Sequence, residues 1–223
     1  MSFNLYDPCD DSTLQAGSFQ TCYGAGAVDW GNIKSVGFIS VSKTSDPFFD
    51  AAGVAPTTVE EYYAIFQDKA NWSTAMGLTD ENKVVLTPLS SNTTVTGGEA
   101  KEVTFEDDTI VPRGHNSQMF EFTFRSLSKA QEAQLASLHG RVLGMVLITD
   151  DNSVIIKDVP LSDVSGSTTN PFFFTKGGLL VNGRQNATGE TIDFSTAKFG
   201  VDVSETFGKY VKISLGFDIT GLQ

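Results

Sequence analysis

The densest set of side chains able to do chemistry lies in one short stretch, where Glu99, Glu102, Glu106, Asp107 and Asp108 crowd together. Carboxylates at such spacing raise the question of a bound cation. A calcium loop sets oxygen ligands at alternate positions around a fixed glycine, and this stretch does not. The expectation is a solvated acidic surface, with no metal and no cofactor. His115 lies beside Arg113 and Asn116 and could line a pocket, although a histidine in a loop is usually only solvated. His139 falls in the last turn of an expected helix, where a cation complements the macrodipole. With only two histidines and two cysteines, Cys9 and Cys22, there is no zinc spacing. The two thiols read as free rather than paired. The chain has no Gly-x-Ser-x-Gly elbow, no His-Glu-x-x-His and no P-loop; Lys176-Gly177-Gly178 lacks the upstream glycine of a phosphate loop. No catalytic residue is assigned, and the expectation is a protein that is not an enzyme.

The elements around these groups centre on residues 118–159. Phe120, Phe122 and Phe124 alternate with Glu121, Thr123 and Arg125. A period of two puts the rings on one face of a strand, and burying each contributes on the order of 2 kcal/mol, so that face must be covered. Ser128 to Gln131 fits a capping box, Ala130, Ala133, Leu135 and Leu138 supply a packing face, and Gly140 suits the left-handed stop. Arg141–Thr149 is apolar on both faces and reads as a central, doubly covered strand. Asp150–Ser153 is turn chemistry, and Val154–Val159 returns as a hairpin partner.

Before that stretch, Ile33–Lys43 is a strand candidate. Pro56–Glu60 opens a second, short helix over about 58–70 with a second capping box, and Val59, Tyr62, Tyr63, Phe66 and Ala70 fall on one face, an aromatic face read as core or inter-subunit contact rather than a ligand cage. Lys83–Leu86, Asn92–Thr96 and Lys101–Phe105 read as short strands, and Thr109–Ser117 as a loop into the Phe strand. Beyond it, Pro171–Thr175 and Gly178–Val181 read as short strands, Asn182-Gly183 as a type I′ turn, and Ile192–Phe194 and Phe199–Val203 as further strands. Val211, Ile213, Leu215, Phe217 and Ile219 alternate with polar residues in a closing strand. The fold class expected is mainly β (α+β): an antiparallel β-sandwich or partly closed barrel, with one helix packed on the sheet (about 128–139) and the short helix at about 58–70.

The chain has 223 residues, 27 acids against 15 Lys and Arg, and a formal charge of −12. That length can bury a core without metals or disulfides. The charge disfavours unaided binding to nucleic acid and to anionic membranes. No run approaches the ~20 apolar residues of a membrane-spanning helix, and the N-terminus lacks the basic and apolar regions of a signal peptide. Residues 1–32 show no period, yet hold Phe3, Leu5, Tyr6, Phe19, Tyr23 and Trp30, more apolar groups than a disordered tail carries. They read as an N-terminal docking arm on a single β-rich domain, 33–223. The candidate assembly contacts are Phe3, Tyr6, Phe19, Tyr23 and Trp30 in the arm, with Tyr62, Tyr63 and Trp72 in the domain. The five acids at 99–108 are the acidic surface candidates.

This order (arm, strand, helix, strands, strand–helix–hairpin, long closing strand) resembles the tail tube and related ring-forming proteins of tailed bacteriophages. The resemblance covers roughly residues 33–220 and is nearest over Gly114–Val159 and Lys209–Leu222. It implies six copies per ring, rings stacked into a tube in the virion, an inner barrel to which each subunit adds strands, and arms and loops that bind the next ring. It also implies contact with other virion proteins, DNA passing through without specific binding, and no catalytic residues. The long leader and the aromatic helix depart from the pattern and leave a neck, baseplate or capsid-decoration role open. A second reading is a carbohydrate- or ligand-binding β-sandwich, with Trp30, Trp72 and the tyrosines stacking on sugars.

Overall fold

The computed structural model describes residues 31–40, 48, 56–78, 83–104, 110–157, 174–186, 193–202 and 210–222. The chain divides into two units, Met1–Trp30 and Gly31–Gln223, and the described residues all belong to the second. They are mainly antiparallel β, with eleven strands and three α-helices. The strands are β1 (Ile33–Ser40), β2 (Val85–Leu86), β3 (Asn92–Gly97), β4 (Ala100–Thr104), β5 (Ile110–His115) and β6 (Gln118–Arg125), then β7 (Val142–Thr149), β8 (Ser153–Lys157), β9 (Phe174–Asn186), β10 (Asp193–Val201) and β11 (Tyr210–Ser214). The helices are α1 (Val59–Gln67), α2 (Lys69–Gly77) and α3 (Lys129–Leu138). Nine strands join in the order β11-β8-β7-β9-β10-β6-β3, with β1 beside β7 and β2 beside β1, while β4 and β5 pair with each other.

That nine-stranded sheet works as two layers because β9 belongs to both. Its first residues, Phe174 to Gly178, pair with β7, and Leu179 to Asn186 pair with β10. The first layer is therefore β1, β2, β7, β8 and β11, and the second is the outer part of β9 with β10, β6 and β3. Register sorts the side chains. In the first layer Ile39, Val146, Ile148, Val154, Ile156 and Ile213 share one face and are buried with Tyr62, Ile65, Phe66, Trp72 and Ala75 of the helices. On the opposite face lie Val36, Phe38, Met145 and Leu147, all buried. The Phe38 ring meets Phe199 of β10 at 5.8 Å between centroids, so the two layers pack face to face as a sandwich with no closed barrel. The Phe120, Phe122 and Phe124 face of β6 is shared with Ala197 and Phe199 and is fully buried. Three such rings contribute on the order of 6 kcal/mol from burial alone, enough to fix which way this strand faces.

α3 forms as its sequence requires. Ser128 Oγ accepts from Gln131 N at 3.2 Å, and Gln131 Oε1 accepts from Ser128 N at 2.9 Å, a complete capping box. Gly140 follows with φ +72°. Several expected elements differ. The helix expected over 58–70 is two helices, because Asp68 has extended angles and its side chain caps the second at Ala70 N. The first starts from Thr58, whose side chain accepts from Glu61 N, one residue later than the expected box. Thr109–Ser117, expected as a loop, contains β5. Asn182-Gly183 is no turn: it lies within β9, where the register against β10 slips between Phe194 and Thr196. The two strands expected at 192–203 are one, β10. The closing strand ends at Ser214. Gly216 takes φ +70° and a 3-10 turn covers Ile219–Leu222, although Ile213, Leu215 and Ile219 stay buried.

Candidate functional site

The second layer has one face on the core, and among the described residues no helix or strand packs on the other, although Thr196 on it is buried and Glu121, Thr123 and Lys198 are half-buried. Across that outer face Asn92, Thr123, Thr196 and Asn182 form one row, and Thr94, Glu121, Lys198 and Leu180 the next. Lys198 Nζ holds Glu121 Oε2 at 3.0 Å, and Asn182 Nδ2 donates to Thr196 Oγ1 at 2.8 Å. The surface is thus polar, threonine-rich and nearly neutral.

Among the described residues, both sides of this layer have open edges. There β3 pairs as a strand only with β6, in continuous register from Asn92 to Gly97, while Thr93 Oγ1 donates to Ile33 O of β1. β3 carries no charged residue, no proline and no bulge, the usual devices that keep an edge from pairing with another chain. On the far side β9 is covered as far as Val181. Leu179 N donates to Arg141 O, Gly140 N donates to Leu179 O, and His139 Nδ1 accepts from Val181 N at 3.0 Å. The imidazole therefore ends the ladder as a stand-in for a carbonyl. His139 is the C-cap of α3, and this contact to β9 is a role that its place at the helix end did not suggest. Beyond Val181, no strand among the described residues pairs with β9 on that side. β9, β10, β6 and β3 alternate in direction, so the two open edges run opposite ways.

Behind the open part of β9 lies a cleft of about 380 Å³, lined by Leu135, Ala136 and His139 of the α3 segment and by Val181, Gly183 and Ser195 of the sheet, among others. Its charges cancel locally. Arg184 Nε contacts Glu132 Oε1 at 2.8 Å and Nη1 contacts Asp193 Oδ2 at 3.2 Å, while Nη2 donates to Leu127 O. Glu132 first, then Asp193, raises the Arg184 pKa above its ordinary value.

The four strands β3, β4, β5 and β6 form one long two-stranded ribbon, whose inner half is in the second layer and whose outer half, β4–β5, leaves it. The bend is built from glycine. Gly97, Gly98 and Gly114 have φ of +82°, +87° and +86°, and a Cβ on Gly97 would stand 2.3 Å from Ser117 O. His115 Nδ1 lies 3.1 Å from Gly98 O, and Asn116 N donates to Glu99 O. All of β4 is exposed, with Val103 at 36% and Ile110 at 58%.

The structure separates the residues singled out in the sequence. Trp72 is fully buried, with Nε1 donating to Phe66 O at 2.7 Å and its ring 4.7 Å from Phe48. Tyr62 is 3% exposed. Both are core groups of their own chain: Tyr62 takes the core alternative of its helix face rather than the inter-subunit one, and Trp72 is not the assembly contact expected. Tyr63 is half-buried, 5.8 Å from the Tyr62 ring. Glu99 and Glu102 are exposed at the base of the outer ribbon. Phe3, Tyr6, Phe19, Tyr23, Trp30, Glu106, Asp107 and Asp108, and both cysteines, lie outside the described residues. Among the described residues no group of three or more His, Cys, Asp or Glu could hold a metal ion, and no helix is long and apolar enough to cross a membrane. Sequence reasoning missed the cleft and both open edges; the uncharged run Asn92–Gly97 is the signal that could have pointed to the edge at β3. Set against protein-family models, curated proteins and solved structures, the chain matches none.

Proposed function

We propose that this chain is a structural protein of a phage virion, of the tail tube type, whose copies join through sheet edges and arms into rings that stack and conduct DNA. The observation that carries this reading is the second layer: four antiparallel strands whose two edges, of opposite direction, are open among the described residues. Copies set side by side then continue one antiparallel sheet, and a head-to-tail contact that closes makes a ring. The outer face of that sheet would line the lumen. Its rows of Thr and Asn, with Glu121 neutralised by Lys198, offer the phosphate backbone no cluster of cations to hold. The outer ribbon suits the contact to the next ring, since a two-stranded ribbon exposed on both faces is marginal alone and gains from a partner. Six copies per ring follows the resemblance drawn above. The burial of Trp72 removes one of the stacking groups on which a sugar-binding reading leaned.

Electron microscopy of the purified protein, with sedimentation across a concentration series, tests the proposal. Rings or tubes are expected. A monomer at every concentration, with binding on a glycan array, would overturn it.

A further inference from the structure

Polar groups that line the cleft behind β9 are engaged within the chain, Arg184 with Glu132, His139 with Val181 N and Asn182 with Thr196. The position of the cleft suggests its occupant. It adjoins the stretch of β9 beyond Val181, which on that side pairs with no strand among the described residues, and it lies on the apolar face of the second layer, the face shared by Val181, Ala197 and Phe122. At the other edge, Val95 of β3 projects from that same apolar face, since it stands opposite Phe120. Yet Val95 is 38% exposed, because the sandwich ends there.

We infer that the cleft is the socket for β3 of a second copy, with Val95 as the side chain that enters it. The inference deepens the assembly reading and rests on it. Three observations fit. The polarity of the two edges gives antiparallel pairing between copies. The socket's lining includes small and apolar groups, Leu135, Ala136 and Val181, beside the polar Asn182 and Ser195, and the apolar part suits a valine. Charge also matches: in a chain of net charge −12, copies repel unless they meet at neutral surfaces. Asn92–Gly97 has no charge at all, and the cleft's Arg184 and Glu132 are paired with each other, Arg184 also with Asp193. Closing a sheet into a barrel requires a stagger between strands, which lets β3 meet β9 further along than the residues it faces across its own sheet.

The test uses the full chain. Val95→Lys places a charge on the entering side chain, and Ala136→Phe fills the socket from the exposed side of α3. Each is expected to raise the concentration at half-assembly by about tenfold or more, with an unchanged circular dichroism spectrum. Val95→Cys and Ala136→Cys chains, each also carrying Cys9→Ser and Cys22→Ser, mixed and treated with a short bis-maleimide, are expected to give a crosslinked dimer that neither gives alone. If rings form and both substituted chains assemble like the wild type, with no new crosslink, the socket is wrong while the assembly reading stands. A wild-type chain that never assembles overturns both. Should Val95→Lys fail to fold, Ala136→Phe and the crosslink decide.

Discussion

Asp151 occupies the turn between β7 and β8, where Lys212 Nζ of β11 reaches its Oδ2 at 2.7 Å and the Thr149 hydroxyl donates to its Oδ1. The Lys212 contact first, and Thr149 second, hold its carboxyl at about 2 against an ordinary 3.8. A folded-state pKa below the unfolded one means stability that is fully present above the unfolded value and lost as pH falls through the folded value. The window is therefore from about pH 4 down to about pH 2. The side chain is 52% exposed, so solvent screening keeps the effect small. Asp151→Asn should cost about 1 kcal/mol at neutral pH, and the difference from wild type should vanish by about pH 2. Urea unfolding of both proteins at a series of pH values measures this. A constant difference across that window would mean that Asp151 acts through packing or neutral hydrogen bonds alone.

At the scale of elements, the ribbon from β3 to β6 depends on its glycine bend. Gly97→Ala would place a methyl group against Ser117 O and force a left-handed φ on a residue that avoids it, at a cost of about 1–3 kcal/mol. Gly221→Ala, where nothing stands within 4 Å and φ is ordinary, should be close to neutral. Thermal unfolding of the two variants compares them, and equal midpoints would refute the strained bend. The same ribbon marks where sequence reading stops. The Phe strand, the capped α3 and the apolar β7 were legible because each follows from a local rule: alternation, a capping box, an unbroken apolar run. β5 was not, because Pro112 and Gly114 look like loop residues, and only the pairing with β4 makes the segment extended. The break at Asp68 was hidden because Asp reads as an ordinary polar residue within a helix until its own angles leave the helical range. Asn182-Gly183 carried the chemistry of a turn, yet β10 holds it in a strand through a slipped register. Trp72 and Tyr62 could not be told from surface aromatics by sequence, since α2 follows α1 at an angle set by the Asp68 break. The cleft and the open edge of β9 are products of tertiary pairing, and no local pattern encodes where a strand lacks a neighbour.

For the whole molecule, the decisive opposition is between a net charge of −12 and surfaces that propose to meet copies of themselves. Among the described residues the closest ion pairs are internal: Lys198 with Glu121, Lys212 with Asp151, and Arg184 with Glu132 and Asp193. The edges offered for pairing are uncharged or neutralised, so contact gains little from Coulomb attraction and must overcome the repulsion of the bodies behind it. At an ionic strength near 0.01 M the screening length is about 30 Å, which spans neighbouring subunits; at 0.15 M it is about 8 Å, and distant charges no longer act. Apolar contact and strand pairing are far less sensitive to salt. Assembly should therefore strengthen as salt rises from about 0.01 to about 0.15 M, the opposite of an interface built on ion pairs. Sedimentation velocity at fixed protein concentration along that series reads the assembled fraction directly. A fraction that falls with added salt would mean that oppositely charged patches join the copies, and would move the interface away from β3 and β9.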